Sequence, residues 1–501
     1  MAIETYPVPD DLRQPRITLE VAAEGGPWQP VEVAYATSMD DRPHARGGAE
    51  GWAHLSTDAP LRIRVTLPDP IGNATLRPSL RDPIPCHVDG RCVSFAVQQP
   101  RYLVLSVNDP HPGPDHRWHV VFTVYLLVDP IDPDAPSPAD PGVRALDPGQ
   151  HLPEDFALSH DHHTLLLQPG VHTVKGQRVE LPAGKTFYLA GGAHLRSYLI
   201  GEAADGASFR GRGVLDGSGI DRRSTEWRDD GDAAFVFFRR GSNITVDGIT
   251  IFDSPFWNLV TFGTTGFRAH NLKSITWRVN NDGLQPRSCN DYTANRCFLK
   301  CADDCVAIKT RRSASMTSRN LRFKNLVCRN DLPGNAVEIG HTSQADVLED
   351  VTFEHLDVVH TAGDPGHSFA VSIHVIDHCR VRGIAYRDLR VEGHRTGDLR
   401  LSIGTSRYST DDQRGHIEHV HVNGYHTEAG LTASRFAGFD PDHRVHSVTI
   451  ENVTTAGQPA RPEDLTAETQ HADAITFQGQ PVATPPEPAT LEPPTLEPPT
   501  P

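Results

Sequence analysis

The strongest constraint on this chain is a loose repeat in its second half. The pattern is an apolar residue, any residue, a small or polar turn-like residue, then apolar, any, apolar. Instances are Val246-Asp247-Gly248-Ile249-Thr250-Ile251, Phe323-Lys324-Asn325-Leu326, Phe353-Glu354-His355-Leu356, Tyr386-Arg387-Asp388-Leu389, Val422-Asn423-Gly424-Tyr425 and Ile450-Glu451-Asn452-Val453. Asn271-Leu272 and Cys297-Phe298 fit it less closely. Anchored on the turn-like residue, the positions are 248, 271, 297, 325, 355, 388, 424 and 452, at intervals of 23, 26, 28, 30, 33, 36 and 28. A core interval in the low twenties with added loops predicts the stacked coils of a parallel β-helix. Stacked strands cannot absorb insertions, so the extra residues belong at the turns. A second antiparallel sandwich would instead show turn signals every 8–12 residues or so, and that regularity is absent.

The first part of the chain reads differently. Residues 1–127 alternate apolar and polar side chains in short runs, such as Arg16-Ile17-Thr18-Leu19-Glu20-Val21, Leu61-Arg62-Ile63-Arg64-Val65 and Trp118-His119-Val120-Val121-Phe122-Thr123-Val124-Tyr125. Period two bounded by Pro, Gly and Asp predicts antiparallel strands in an N-terminal β-sandwich. Residues 128–153 are rich in Asp and Pro and read as a linker, because proline holds a connector extended and removes a ladder donor. Residues 154–480 carry the β-helix, making the chain all-β. Residues 481–501 contain Leu-Glu-Pro-Pro-Thr twice and read as a disordered tail.

The formal charge of −17 argues against nucleic acid and anionic membranes as partners. No apolar run approaches the ~18 residues of a membrane span. Met1-Ala2-Ile3-Glu4-Thr5 lacks the basic and apolar regions of a signal peptide, so a cytoplasmic location is expected. The eight cysteines are too few and too scattered for a disulfide framework. Cys297, Cys301 and Cys305 recur every four residues without a second ligand pair at zinc spacing. They read as small apolar fillers of a coil interior, and no metal is expected there. Cys86 and Cys92 are close enough in sequence to bridge a loop, but a reducing compartment opposes it.

Two short stretches bear chemistry. Asp282 lies in Asn280-Asn281-Asp282-Gly283, and twenty-one residues later comes Asp303-Asp304-Cys305. In stacked coils that interval puts the three acids on adjacent strands, about 4.8 Å apart. A solvated turn is the plain alternative for Asp303-Asp304. The apolar run that follows at once places them at a strand start instead, where two adjacent charges are costly to desolvate. Clustered carboxylates raise the pKa of one member, which becomes a proton donor, while the others bind and deprotonate water. That is the requirement of glycosidic hydrolysis, which calls for no cofactor. A separation of about 6.5–9.5 Å between acid and base leaves room for water and inverts the anomeric centre.

At these residues the chain from about 165 to 460 resembles the right-handed parallel β-helix glycoside hydrolases, the polygalacturonases (family 28) and the dextranases with isopullulanase (family 49). Asn280-Asn281-Asp282-Gly283 resembles the polygalacturonase Asn-Thr-Asp-Gly motif. Asp303-Asp304-Cys305-Val306-Ala307-Ile308-Lys309 resembles its Asp-Asp-Cys-Val-Ala-Ile-Lys motif almost letter for letter. The resemblance implies Asp303 as general acid and Asp282 and Asp304 as activators of water. Two departures bear on substrate. Gly334-Asn335-Ala336 stands where polygalacturonases have Gly-His-Gly, leaving His341 as the nearest histidine. Val371-Ser372-Ile373-His374 stands in the register of the Arg-Ile-Lys motif that grips a uronate. The dextranase side shares the N-terminal sandwich and the flavour of Tyr188-Leu189-Ala190-Gly191-Gly192-Ala193 and Gly340-His341-Thr342-Ser343.

Candidate sugar platforms are Trp257 and Trp277, whose faces suit the apolar face of a pyranose. Packing within a coil is the alternative for each. Asn281, Lys309, Asn335, Glu338, His341 and His374 are candidate hydrogen-bonding partners for hydroxyl groups. Glu338 alternates with Val337 and Ile339, so it is expected to face the groove. The expected partner is thus a poly- or oligosaccharide with α-linkages. A polysaccharide lyase or uronate C5-epimerase would need a base with calcium or basic groups to neutralise a carboxylate, and the sequence lacks a clear basic set. A non-catalytic glycan-binding solenoid is the third possibility.

Overall fold

The computed structural model describes residues 2–38, 50–108, 122–221, 234–331, 333–361, 366–393 and 397–482. From Val143–Leu146 to Gln480–Pro481, 31 strands form one continuous winding sheet, almost all of it parallel. This is a right-handed parallel β-helix. One ladder can be followed through successive coils: Phe209, Val246, Ala269, Ala294, Phe323, Phe353, Tyr386, Val422, Ile450 and Phe477 pair in turn. Parallel strands stack like residues at the inter-strand spacing of about 4.8 Å. Phe323, Phe353 and Tyr386 accordingly form a column with ring centroids 4.7 and 5.2 Å apart and near-parallel planes. Cys297, Cys301 and Cys305 lie in the same coil interior, fully buried, and none of the eight cysteines is bridged.

The repeat is a column of sharp turns. Gly248, Asn271, Asn325, His355, Asp388, Gly424 and Asn452 all have φ between 53° and 81°, the left-handed conformation that Gly, Asn and Asp tolerate best. In the remaining coil the left-handed residue is Arg296 (φ 57°), not Cys297. Cys297 is the next residue and points into the core.

Strands from Ile3 to Pro130 build the N-terminal sandwich around their own apolar core. One sheet is antiparallel, ordered Gln29–Val31, Thr18–Ala23, Leu61–Thr66, Cys92–Val97, His87–Asp89. The other is mixed: Phe122–Pro130 runs parallel to Glu50–Thr57, where sequence periodicity led to an antiparallel expectation. Periodicity reports which side of a strand is buried, not which way the chain runs. All eight residues of Glu50–Thr57 are buried, because this sheet is covered on both faces, as parallel strands usually are. Its outer cover is the β-helix itself. Trp52, Tyr102, Val104, Tyr125 and Leu127 pack against Phe252, Ile275, Trp277, Phe298 and Val327.

The Asp- and Pro-rich stretch 128–153 includes the end of Phe122–Pro130 and the first two β-helix strands, Val143–Leu146 and Gly149–His151. Asp129 lies at the centre of the domain interface, fully buried. It accepts hydrogen bonds from Lys273 Nζ at 2.7 Å, from the Tyr102 hydroxyl at 3.1 Å, and pairs with His54 Nε2 at 2.8 Å. Part of Trp118–Tyr125 and the repeat-bearing tail from residue 483 lie outside the described residues. Among the described residues no helix is long and apolar enough to cross a membrane.

Candidate active site

One outer face of the β-helix collects the predicted acids. Residues of alternate parity in each strand point inward, so Val306 and Ile308, Val337 and Ile339, Val371 and Ile373, and Leu399 and Leu401 fill the core. Their neighbours point out and align from coil to coil. Gln285, Ala307, Glu338, Ser372 and Arg400 occupy equivalent positions on successive strands, with Arg287 level with Lys309 and Gly340 with His374.

The acids sit just before these strands. The Gly283 amide donates to the Asp304 carbonyl at 2.8 Å, and the Asn281 amide donates to the Ala302 carbonyl at 3.1 Å. Asp282 is therefore one coil below Asp303-Asp304, as its spacing implies. Asp303 has φ 149°, a conformation that L-residues rarely hold and that marks stored strain. Gly334 lies directly against it on the next coil; a Cβ there would come within 2.4 Å of the Asp303 carbonyl carbon. Only glycine lets the two backbones approach this closely.

Asp303 is held by the Asp304 amide, which donates to Oδ1 at 3.1 Å, and by Asn280 Nδ2 at 3.4 Å from Oδ2. Burial, then the neighbouring charges of Asp282 and Asp304, raise its carboxyl well above the usual range. Asp304 is raised by burial, by Glu338 and by Asp282. Like Asp303 it is met by one backbone amide and one asparagine side chain, but at shorter distances: the Asn335 amide and Nδ2 both give hydrogen bonds to its Oδ1, at 2.8 and 3.0 Å. Asp282 receives hydrogen bonds from Lys309 Nζ at 3.0 Å and from Gln285 Nε2, both on Oδ2. Burial and crowding thus raise both Asp303 and Asp304, and Asp282 beside them is met by a lysine and a glutamine.

Trp257, Lys309, His341 and His374 are half-buried along the open edge of this cluster. Arg287 lies over the Trp257 ring at 4.4 Å from its centroid and Lys309 at 5.9 Å, so one side of the ring is backed by cations. The His341 and His374 rings meet edge to face at 4.8 Å. Burial pushes His341 down to about 4 and His374 well below the usual imidazole range, which keeps both rings neutral at neutral pH.

Four expectations change. Asn335 is 4% exposed, its Nδ2 donates to Asp304 and Glu338 and its Oδ1 accepts from the Phe369 amide, so it holds the acids and has no group left for a sugar hydroxyl. Trp277 is 2% exposed and packs on Phe252 and Tyr35 beneath the sandwich, so it has no face for a sugar. Asn281 is fully buried; its Oδ1 accepts from the Arg278 amide at 2.5 Å and its Nδ2 donates to the Ser254 and Phe256 carbonyls. It braces the turn that carries Asp282 and does not face solvent. Glu338 does point away from Val337 and Ile339, but it is fully buried beneath its neighbours. Its Oε2 accepts from Asn335 Nδ2 at 3.1 Å and Arg400 at 3.3 Å.

The sequence reading passed over Gln285, Arg287, Arg400 and Tyr408. A polar residue at the outward position of each rung was the available signal for the first three. Tyr408 is 54% exposed and its ring lies 6.4 Å from that of His341; it sits on a turn, where no periodicity points to it. As the half-exposed aromatic beside the acids, Trp257 carries a testable role. Trp257→Ala should raise KM about tenfold, the effect of ~1.4 kcal/mol, with kcat changed far less. An unchanged KM on oligosaccharides would remove Trp257 from the sugar contacts.

Comparison with known proteins follows the same lines. The family model Glycosyl hydrolases family 28 matches residues 160–394. A polygalacturonase of Juniperus ashei is 28% identical over 162 residues, 30% of each chain. A putative galacturan 1,4-alpha-galacturonidase C of Aspergillus niger is 27% identical over 183 residues, 33% of this chain and 39% of the relative. These matches span well under half the length of those relatives. Across nearly the whole chain the fold is that of Dex49A from Penicillium minioluteum, with TM-score 0.64, 13% identity, and coverage of 94% of this chain and 96% of that one. In sequence from residue 160 to 394 and in overall architecture, the chain therefore resembles the right-handed parallel β-helix glycoside hydrolases, with a family 28 match at its core.

Proposed function

We propose that the protein hydrolyses α-linked glycosidic bonds of a poly- or oligosaccharide, with inversion, at the cluster of Asp282, Asp303 and Asp304. The observation that carries this reading is the convergence of three carboxylates on two adjacent rungs, with Asp303 the most exposed of them and Asp282 met by a lysine. Asp303, proton-bearing and half-buried, gives its proton to the leaving-group oxygen. Asp282 and Asp304, surrounded by the donors Lys309, Gln285 and Asn335, hold and deprotonate the water that attacks the opposite face of the sugar. Neutral sugars are the favoured substrates. Lys309 and Arg400, bonded into the acidic cluster, already face Asp282 and Glu338, and a uronate would add its charge to those of Asp282, Asp304 and Glu338.

A panel of polygalacturonate and neutral α-glucans tests the reading. New reducing ends on at least one α-glycan, without the ultraviolet absorbance of an unsaturated uronate, are expected. Absorbance growth on polygalacturonate would instead establish a lyase, and no product from any α-glycan would leave a binding solenoid.

A further inference from the structure

We propose that Glu338, His341 and His374 form a site for one divalent transition-metal ion beside the acidic cluster. One donor atom from each lies within 4.8 Å of the others. Bonds of about 2.0–2.2 Å from a common ion bring such atoms to roughly 3–3.6 Å apart, a closure within reach of small side-chain rotations.

Two orphaned atoms point to a missing ligand. Glu338 is fully buried, yet only its Oε2 is bonded; Oε1 has no hydrogen-bond partner among the described residues. His374 Nδ1 is also buried and without a partner. A buried carboxylate oxygen left unsatisfied costs free energy unless something cationic meets it. Arg400 and Asn335 hold the other oxygen and fix the carboxylate orientation, as the outer partners of metal-binding carboxylates do.

Charge balance is compatible with an added cation. With Asp303 proton-bearing, Asp282, Asp304 and Glu338 are faced by Lys309 and Arg400, which are bonded to Asp282 and Glu338. Two imidazoles and a carboxylate suit a borderline ion such as Zn²⁺ or Co²⁺ and leave coordination positions open toward the half-exposed histidines. Asn335 Nδ2 bridges Glu338 and Asp304, so the ion would lie beside the water-activating pair and orient a sugar hydroxyl there.

The test is titration of the chelator-treated full-length protein with Co²⁺, read by its visible d–d absorption. One Co²⁺ per chain is expected, displaced by Zn²⁺. Binding should weaken at least a hundredfold in His374→Ala and at least tenfold in Glu338→Gln, which preserves the shape and Asn335 contact of the side chain. Absence of the bands in the wild type, or equal Co²⁺ affinity in the wild type and Glu338→Gln, overturns the proposal. Because the readout is spectroscopic, a failure leaves the hydrolytic reading standing, and an inactive enzyme leaves the metal site testable.

Discussion

Asp303→Asn is expected to lower kcat by about 10³-fold or more while KM stays within a few-fold, since a positioned general acid contributes on the order of 10²–10⁴. The amide keeps the size of the side chain and, through its one oxygen, the contact with the Asp304 amide; it loses the transferable proton and the weaker 3.4 Å contact with Asn280 Nδ2. The same group sets the alkaline side of the wild-type pH profile. Burial and two neighbouring carboxylates raise the folded-state pKa of Asp303. The protonated, active form therefore persists at pH values where an ordinary carboxyl has ionised, and activity falls as pH rises through the raised value.

A raised carboxyl also weakens folding. The unfolded chain ionises near the ordinary value of about 4, the folded one only higher, so the contribution to stability falls as pH rises between the two. Asp303→Asn removes that burden. The inactive variant should melt at or above the wild-type temperature at neutral pH, a trade of stability for activity seen at strained sites. Pressure-free thermal melts and steady-state kinetics on the same preparation check both halves. Retained activity in Asp303→Asn would remove the acid from the scheme.

The second large effect lies at the domain interface. Lys273→Met is expected to cost about 3–5 kcal/mol, because it strips a buried carboxylate of its ammonium partner. Burial opposes ionisation of Asp129, and Lys273, His54 and Arg212 overcome it, holding the carboxyl well below the usual range. Lys273 is itself fully buried and also donates to the Gly248 carbonyl, the turn residue of its neighbouring coil, at 2.6 Å. The pair thus fastens the sandwich to the β-helix. Adding Asp129→Asn to Lys273→Met should recover much of the loss, since the stranded charge is then gone. Urea unfolding followed by tryptophan fluorescence measures both, as Trp52 and Trp277 lie in the interface. A single-variant loss below about 1 kcal/mol would show that the pair behaves like an exposed salt bridge.

The β-helix was legible because its turns demand a backbone conformation that few residues accept. Seven of the eight repeat anchors are the left-handed residues themselves. The eighth slipped to Cys297 because the coil uses Arg296, whose side chain gives no turn signal. The acids were legible for a related reason: Asp282 and Asp303 are separated by one coil, Leu284 pairing with Val306 just beyond them, and the Gly283–Asp304 hydrogen bond shows that register directly.

Other features depend on contacts that spacing within one domain does not encode. Trp277 looks like a sugar platform until the sandwich is laid over it. Asn281 looks like a binding residue until its turn closes on Ser254 and Phe256. Glu338 points away from Val337 and Ile339, but alternation gives no hint of its burial beneath Arg400, 62 residues away and two rungs further up. The parallel pairing of Phe122–Pro130 with Glu50–Thr57 was equally hidden, because alternation fixes faces and leaves direction open.

The most direct test of the three-carboxylate account is proton NMR of the first product formed from the best α-glycan of the panel. Attack by a water held on the side opposite Asp303 gives the β-anomer first, with the α-anomer appearing only by later mutarotation. Initial release of the α-anomer would mean that a carboxylate of the cluster bonds to the sugar, and would contradict the proposed division of labour among Asp282, Asp303 and Asp304.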